Sequence, residues 1–374
     1  MKKIGFVSCS IGWGGLEMNV LNLAHWLKER DWDITLYTNK DARIFLESQK
    51  FKLRTFIINK HNKYFDFIEA YRFSRILKRQ KIDTVFVFDN RDIDFISLTK
   101  HLFFRKLKVI YQQHMQLGVD KKDFLHTYRF SSIDYWISPL DLLKKEVTER
   151  THFSQEKIKV IPLGTEIDKY VTPKYLKSDA RKKLKINESA LLMGIIGRID
   201  PKKGQLFLIK TIKALQERNI SLELLIIGEP TINDNESAKY FLEINEFIAA
   251  NNLGGKIHIR NFTRDTSIFY NAIDIFALAS EGETYGMVTI EAMLSGLPII
   301  ATNSAGTPEL LNYGQFGILY NNNNIENFCD KLEWMLNNPE NIETMASEAK
   351  MTAIKKYSHN TECKLIEQLL IARA

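Results

Sequence analysis

Two carboxylates, Glu283 and Glu291, stand eight positions apart in GETYGMVTIEA, residues 282–292, on either side of Gly286. On one continuous helix they would share a face about 12 Å apart, too far to act together. If Gly286 is instead the turn into a helix, Glu283 lies in the loop ahead of its N-terminus and Glu291 about two turns in. The pair then brackets the positive end of a helix dipole. That suits a ligand with both an anion and hydroxyls: Glu283 can accept from sugar hydroxyls and Glu291 from a ribose diol, because an ionised carboxylate only accepts. The alternative for Glu283 is helix capping.

A second group is GRIDPKKG, residues 197–204, directly after the apolar run ALLMGIIG. Gly197 and Gly204 hold Arg198 and Lys203 in a loop stiffened by Pro201, so two cations converge where a helix start already favours anions. A diphosphate is the matching guest. The order is not that of a P-loop, which places Lys immediately after the second glycine. In SIGWGGLE, residues 10–17, Gly12, Gly14 and Gly15 permit either a tight turn or a close approach of backbone to an oxyanion. NSAGTPELL at 303–311 offers the amides of Ala305, Gly306 and Thr307 ahead of Glu309. His114, in YQQHMQLG, ends the run LKVIYQ and reads either as a substrate contact or as a structural histidine. The Asp pairs DWD at 31–33 and DID at 92–94 invite a metal, but the first precedes a strand and neither has a third ligand in sight.

These loops need elements to position them. A chain of 374 residues exceeds the usual size of one core, so two domains are expected. The apolar runs KIGFVS, ITLYT, TVFVF, LKVIYQ and YWISP alternate with amphipathic stretches such as LEMNVLNLAHWLKER. After position 188 the pattern repeats with ALLMGIIG, LELLIIG, KIHIR, DIFALAS, LPIIAT and FGILY. Alternating strands and helices imply parallel sheets with crossover helices, hence α/β, two doubly wound domains. Residues 164–188 are polar, contain a proline and show no strand; they read as the linker and the entry to the second domain. The end, from about 340, reads as helix broken around YSHN at 357–360.

Composition narrows the setting. Cys9, Cys329 and Cys363 lack metal-ligand spacing and fit a reduced, cytoplasmic compartment. The start MKKIGFVSCS has too short an apolar stretch for a signal peptide, and no run has transmembrane length. The net charge of +7 is uneven: residues 1–180 hold 32 Lys and Arg against 22 Asp and Glu, the remainder 20 against 23. Ten bases within 50–81 are interleaved with Tyr64, Phe65, Phe67, Tyr71 and Phe73, and KHLFFRKLK at 100–108 is similar. Such a face reads as a surface for anionic lipid, or as a solvated helix whose aromatics are core. No nucleic-acid motif accompanies it.

In combination, GGLE at 14–17, GRIDPKKG at 197–204, and Glu283 and Glu291 followed by AMLSGLPIIAT resemble the retaining glycosyltransferases of family 4. These have the GT-B fold, two Rossmann-like domains facing across a cleft. The resemblance covers nearly the whole chain, with IPLGTEID at 161–168 at the matching strand end. It implies an N-terminal acceptor-side domain at 1–165, a nucleotide-sugar-binding domain at 166–355, and a helix at 356–374 crossing back. It implies transfer, with retention, of a hexose or N-acetylhexosamine from a nucleotide-diphosphate sugar to a glycan or lipid-linked acceptor, most often in surface-polysaccharide synthesis. The implied location is cytoplasmic, peripheral at the inner face of the membrane if the basic face docks there.

The resemblance also implies roles. Arg198 and Lys203 would bind the diphosphate and stabilise the leaving nucleotide, making a metal or other cofactor unnecessary. Glu283 would hold the transferred sugar with the amides of Thr284, Tyr285 and Gly286, and Glu291 the ribose. Gly14 and Gly15 would close on the diphosphate, His114 would touch the donor sugar, and the turn from Arg260 to Phe262 would border the base. Tyr285 stands where the family usually has Phe, and Ala305 where a second Gly is frequent. Two other readings share the architecture, a nucleotide-sugar 2-epimerase and a non-catalytic nucleotide-sugar-binding protein. A nicotinamide dehydrogenase does not fit, since neither Gly-rich turn spells the dinucleotide fingerprint.

Overall fold

The computed structural model describes residues 2–62, 65–231 and 234–371. The chain forms two compact units, the first from residues up to Gly164 together with His359 onward, the second from Thr165 to Ser358. The sequence places these divisions at 165/166 and 355/356.

Unit 1 holds β1 (Lys3–Val7), β2 (Asp33–Thr38), β3 (Arg54–Ile57), β4 (Thr84–Val87), β5 (Lys108–Gln112), β6 (Tyr135–Ser138) and β7 (Ile158–Val160). They make one sheet in the order β3-β2-β1-β4-β5-β6-β7, with every pairing parallel. Unit 2 holds β8 (Leu192–Ile196), β9 (Glu223–Ile227), β10 (Ile257–Arg260), β11 (Ile275–Leu278), β12 (Ile299–Thr302) and β13 (Ile318–Tyr320). Their order is β10-β9-β8-β11-β12-β13, again all parallel. Both are Rossmann-like doubly wound sheets. Helices cover both faces of such sheets, so central strands are apolar throughout rather than alternating. LMGII and ELLII bury nearly every side chain.

Strand β3 was not foreseen and β7 only as the strand end at IPLGTEID; both lie at the edges of the first sheet. An edge strand is half solvated: Arg54, Phe56 and Ile57 of β3 are exposed, so RTFI carries no continuous apolar signal. The expected linker is also more ordered than its polarity suggests. It contains helices Asp168–Val171 and Lys177–Leu184 and belongs to unit 2. Arg181 is buried there because Ala272 and Ala190 carbonyls accept from it at 2.9 Å, and the Asp274 carboxylate at 2.7 Å.

The helix Gly15–Glu29 buries Val20, Leu21, Ala24 and Leu27, one stripe at helical spacing, against the first sheet. The last helix, His359–Ile371, follows the break at Tyr357 and Ser358 and packs on it. Glu367 fastens the pair, accepting from Arg30 at 2.7 Å and from the Trp32 indole at 3.0 Å.

The basic aromatic stretch divides. Phe73 is core, edge-on to Tyr37 at 5.0 Å, whereas Phe65, Phe67, Ile68 and Tyr71 are exposed. Tyr64 lies outside the described residues. Arg72, Arg75, Lys78 and Arg79 are exposed on the same helix, and Leu102 of the second basic stretch is exposed too. No helix among the described residues is long and apolar enough to cross a membrane.

Candidate functional site

In doubly wound sheets ligands bind beyond the C-terminal ends of the strands, where the strand order reverses. In unit 2 that point is β8, which has β9 on one side and β11 on the other. Three of the four loops singled out in the sequence leave β8, β11 and β12, and the fold ties them together. Glu281 N–H donates to Lys202 O at 3.0 Å, Gly306 N–H to Glu283 O at 3.1 Å, and the Ser304 hydroxyl to Glu281 O at 3.0 Å.

The loop after β8 is set by close backbone packing. A Cβ on Gly228 would meet Gly197 O at 1.8 Å, and one on Gly204 would meet Ala279 O at 2.3 Å. Gly204 also has φ 73°, a left-handed value that favours glycine. Pro201–Lys203 form a single 3-10 turn capped by Asp200, whose carboxylate accepts from Lys202 N–H at 2.9 Å. Buried Gln205 donates to Arg198 O at 2.8 Å. The outcome is that Lys203 Nζ lies 2.6 Å from Glu283 Oε2, both partly buried, so two residues 80 positions apart form one ion pair. The Arg198 guanidinium is exposed and has no ion pair among the described residues.

Gly286 has φ 81° and begins the helix Met287–Leu294, which places Glu283 in the loop before it and Glu291 within it. Thr284 is half-buried; Tyr285 is buried, its ring edge-on to Tyr357 at 6.4 Å, so what it offers the loop is its amide. Glu291 accepts from the Tyr270 hydroxyl at 2.7 Å. Burial pushes the Glu291 pKa up, and hydrogen bonds from Tyr270 and Tyr170 hold it back. A carboxylate has about four acceptor sites, so the tyrosines orient Glu291 without exhausting it. Phe262, after β10, is exposed, with its amide 3.3 Å from Glu229 Oε1. Arg260 is turned away, donating to Leu184 O at 2.8 Å.

Ala305 sits at φ 50° in the turn after β12. An L-residue there costs roughly 1–2 kcal/mol. Ala305→Gly is therefore expected to raise stability by about 1 kcal/mol, less what glycine loses through its freer unfolded chain. Denaturant unfolding of the two proteins measures this, and a destabilised variant would contradict it.

In unit 1 the strand order reverses at β1. The glycines following it differ from those of unit 2: none of Gly12, Gly14 and Gly15 has a positive φ. A Cβ on Gly15 would meet nothing within 4 Å, and one on Gly14 only Glu17 Oε2 at 3.8 Å. Neither a positive φ nor packing within the unit calls for glycine at 14 and 15. Glu17 accepts from Gly14 N–H at 2.8 Å and caps the helix. His114, after β5, lies beside Phe88 with ring centroids 6.1 Å apart, and its buried Nε2 has no partner among the described residues. Burial lowers its pKa to about 4, so the ring is neutral at pH 7. Sequence reasoning marked Asp92 of DID for a metal but missed Cys9 and His61, which come to it from two other loops. The signal available was that each follows a strand of the first sheet.

Two families match the chain: Glycosyltransferase Family 4 over residues 13–169 and Glycosyl transferases group 1 over residues 177–352. The chain belongs to the family 4 type of glycosyltransferase. A relative from Haemophilus influenzae, described as an uncharacterized glycosyltransferase, is 26% identical over 94% of this chain and 95% of its own. A glycosyltransferase structure from Rickettsia africae superposes with TM-score 0.87 at 21% identity, covering 98% of this chain and 97% of that one. An Anabaena structure in complex with UDP and glucose superposes with TM-score 0.80 at 18% identity, each chain covered fully at 100%. These solved structures share the GT-B fold with this glycosyltransferase.

Proposed function

We propose that this glycosyltransferase moves a hexose or N-acetylhexosamine from a nucleotide-diphosphate sugar to a glycan or lipid-linked acceptor, with retention, in surface-polysaccharide synthesis. The observation that carries the reading is the Lys203–Glu283 pair at the switch point of unit 2, with Arg198 on the same loop as Lys203. As the anomeric carbon–oxygen bond breaks, negative charge grows on the departing diphosphate. Arg198 and Lys203 meet that charge and take the part a divalent ion would otherwise play. Glu283, with the amides of Thr284, Tyr285 and Gly286, receives the sugar hydroxyls; Glu291, steadied by its tyrosines, receives the ribose; Phe262 borders the base. In unit 1 the residues assigned to the donor are Gly14 and Gly15, with bare backbone, and a neutral His114. The Anabaena complex with UDP and glucose supports a UDP-sugar as the first donor to try.

The test is release of the nucleotide, UDP, GDP, ADP or CMP, from the corresponding sugar nucleotides with lipid-linked and free glycan acceptors, with the product anomer assigned by NMR. Acceptor-dependent release with a retained anomer is expected. Conversion of a lone nucleotide sugar would establish the epimerase, and tight binding without turnover over the whole panel a binding protein.

Gly15→Ala separates ligand approach from folding. It occupies the first position of its helix, where Ala is better than Gly by up to about 1 kcal/mol, so stability should hold or rise. Turnover should fall at least about tenfold, each tenfold being 1.4 kcal/mol in the barrier. Unchanged turnover would remove Gly15 from the donor site.

The exposed Ile68, Tyr71 and Leu102 beside Arg72, Arg75 and Arg79 support docking on an anionic membrane surface, each basic residue adding about 1 kcal/mol near such a surface. Co-sedimentation with anionic but not neutral vesicles at low salt, weakened in Arg72→Glu/Arg75→Glu, is expected. Equal, weak sedimentation with both would sink the docking.

A further inference from the structure

The loops after β1, β3 and β4 bring Cys9, His61 and Asp92 together, with Sγ, a ring nitrogen and a carboxylate oxygen all within 4.8 Å of one another. The cluster lies at the ends of strands in unit 1, with Cys9 directly ahead of the glycine loop at 10–17. The His61 and Asp92 side chains are only 7% and 3% exposed. Asp92 is held in place by Cys9, whose amide donates to Oδ2 at 3.0 Å. His61 is stacked on Phe95 with centroids 4.5 Å apart.

The decisive feature is that both ring nitrogens of His61 face oxygen acceptors. Nε2 is 3.0 Å from Asp92 Oδ1, and Nδ1 is 3.2 Å from the Asn62 carbonyl. A neutral imidazole carries one N–H and satisfies only one of them, leaving a lone pair set against an oxygen. A cation shared by Nε2 and the carboxylate resolves the conflict. Nδ1–H donating to a backbone carbonyl is also the orientation that metal-bound histidines adopt. The third donor, a sulfur, selects the metal: Mg²⁺ and Ca²⁺ want oxygen, whereas a thiolate, imidazole and carboxylate set suits zinc.

We propose that Cys9, His61 and Asp92 form a three-ligand site for a thiophilic divalent cation of the zinc class, pinning the loop at 58–62 to the ends of β1 and β4. Binding converts the Cys9 thiol to a thiolate and releases one proton to solvent. Thiolate and carboxylate together neutralise the dication, and water completes a tetrahedral shell. The proposal uses none of the residues assigned to the donor and stands whether or not that assignment does.

The test uses the full chain freed of metal with a chelator and then given one equivalent of Co²⁺. Wild type should develop the near-ultraviolet absorption of a thiolate-bound cobalt, and one equivalent of Zn²⁺ should abolish it. Cys9→Ser should lose the band, and His61→Gln should weaken binding by more than about 100-fold, since even outer-shell partners are worth 10–100-fold. Cys363→Ser, remote in the packing of the last helix, should keep it. Absence of the band in wild type, or its persistence in Cys9→Ser, overturns the site and leaves His61 an imidazolium donating to both oxygens. Should a variant fail to fold, the wild-type spectrum alone decides.

Discussion

Arg198→Ala and Lys203→Ala should each lower kcat/KM by about 100- to 1000-fold, the usual cost of removing one preorganised group that meets charge developing in a transition state. The effect should fall on KM as well as kcat, because the two cations hold the already anionic diphosphate in the bound donor and meet the further charge that grows as the glycosidic bond breaks. Folding should be little affected. Lys203 and Glu283 have side chains 30% and 20% exposed, and an ion pair of that kind is worth at most about 1 kcal/mol. Arg198 is exposed and has no ion pair to lose among the described residues. Steady-state kinetics beside a denaturant curve checks both halves. A loss below about tenfold in each variant would mean that the loop after β8 does not meet the leaving group.

Glu362→Gln should stabilise unit 1 by about 3 kcal/mol at pH 8 and by almost nothing near pH 4.5. Glu362 is buried in the last helix, where its carboxylate accepts from Gly164 N–H at 2.8 Å and from the Gln112 amide at 3.1 Å. Burial raises its pKa to about 7 from the ordinary 4.5. Between those values the folded chain holds a proton that the unfolded chain has lost, so stability from this group is full below pH 4.5 and drains away as pH rises through 7. Glutamine stays neutral and escapes the loss. His114 runs the other way: its pKa of about 4 lies below the ordinary 6.5, so it withdraws stability as pH falls from 6.5 to 4. The two slopes offset each other in the wild type, and only the difference between variant and wild type isolates Glu362. Tryptophan fluorescence reads unit 1 well, because Trp13, Trp26, Trp32 and Trp136 lie in it and only Trp334 in the other. A difference that does not change with pH would show Glu362 solvated.

What the sequence discloses is what neighbouring residues determine together. The central strands show as apolar runs because both faces are covered, and the loops after β8, β11 and β12 show because their glycines and charges are contiguous. Gly286 is legible as the start of a helix for the same reason. What it hides is decided by distant partners. The Lys203–Glu283 pair joins two motifs that read separately as an anion site and a sugar site. Helix Lys177–Leu184 reads as a linker because Arg181 looks solvated until four acceptors beyond the helix close around it. Cys9 and Asp92 are 83 positions apart, so no spacing rule joins them. Gly15 is the instructive case in the other direction. A sequence shows the glycine, and only the open space beside it shows that folding does not call for it.

Thermal unfolding of wild type and Lys203→Ala with a panel of UDP-, GDP-, ADP- and CMP-sugars tests the donor site most directly. At a hundred times its dissociation constant a donor adds about 2.7 kcal/mol, a rise of several degrees in midpoint. The account predicts that rise for one nucleotide class in wild type and its loss in Lys203→Ala. Equal rises in the two proteins, or none with any sugar nucleotide, would contradict it.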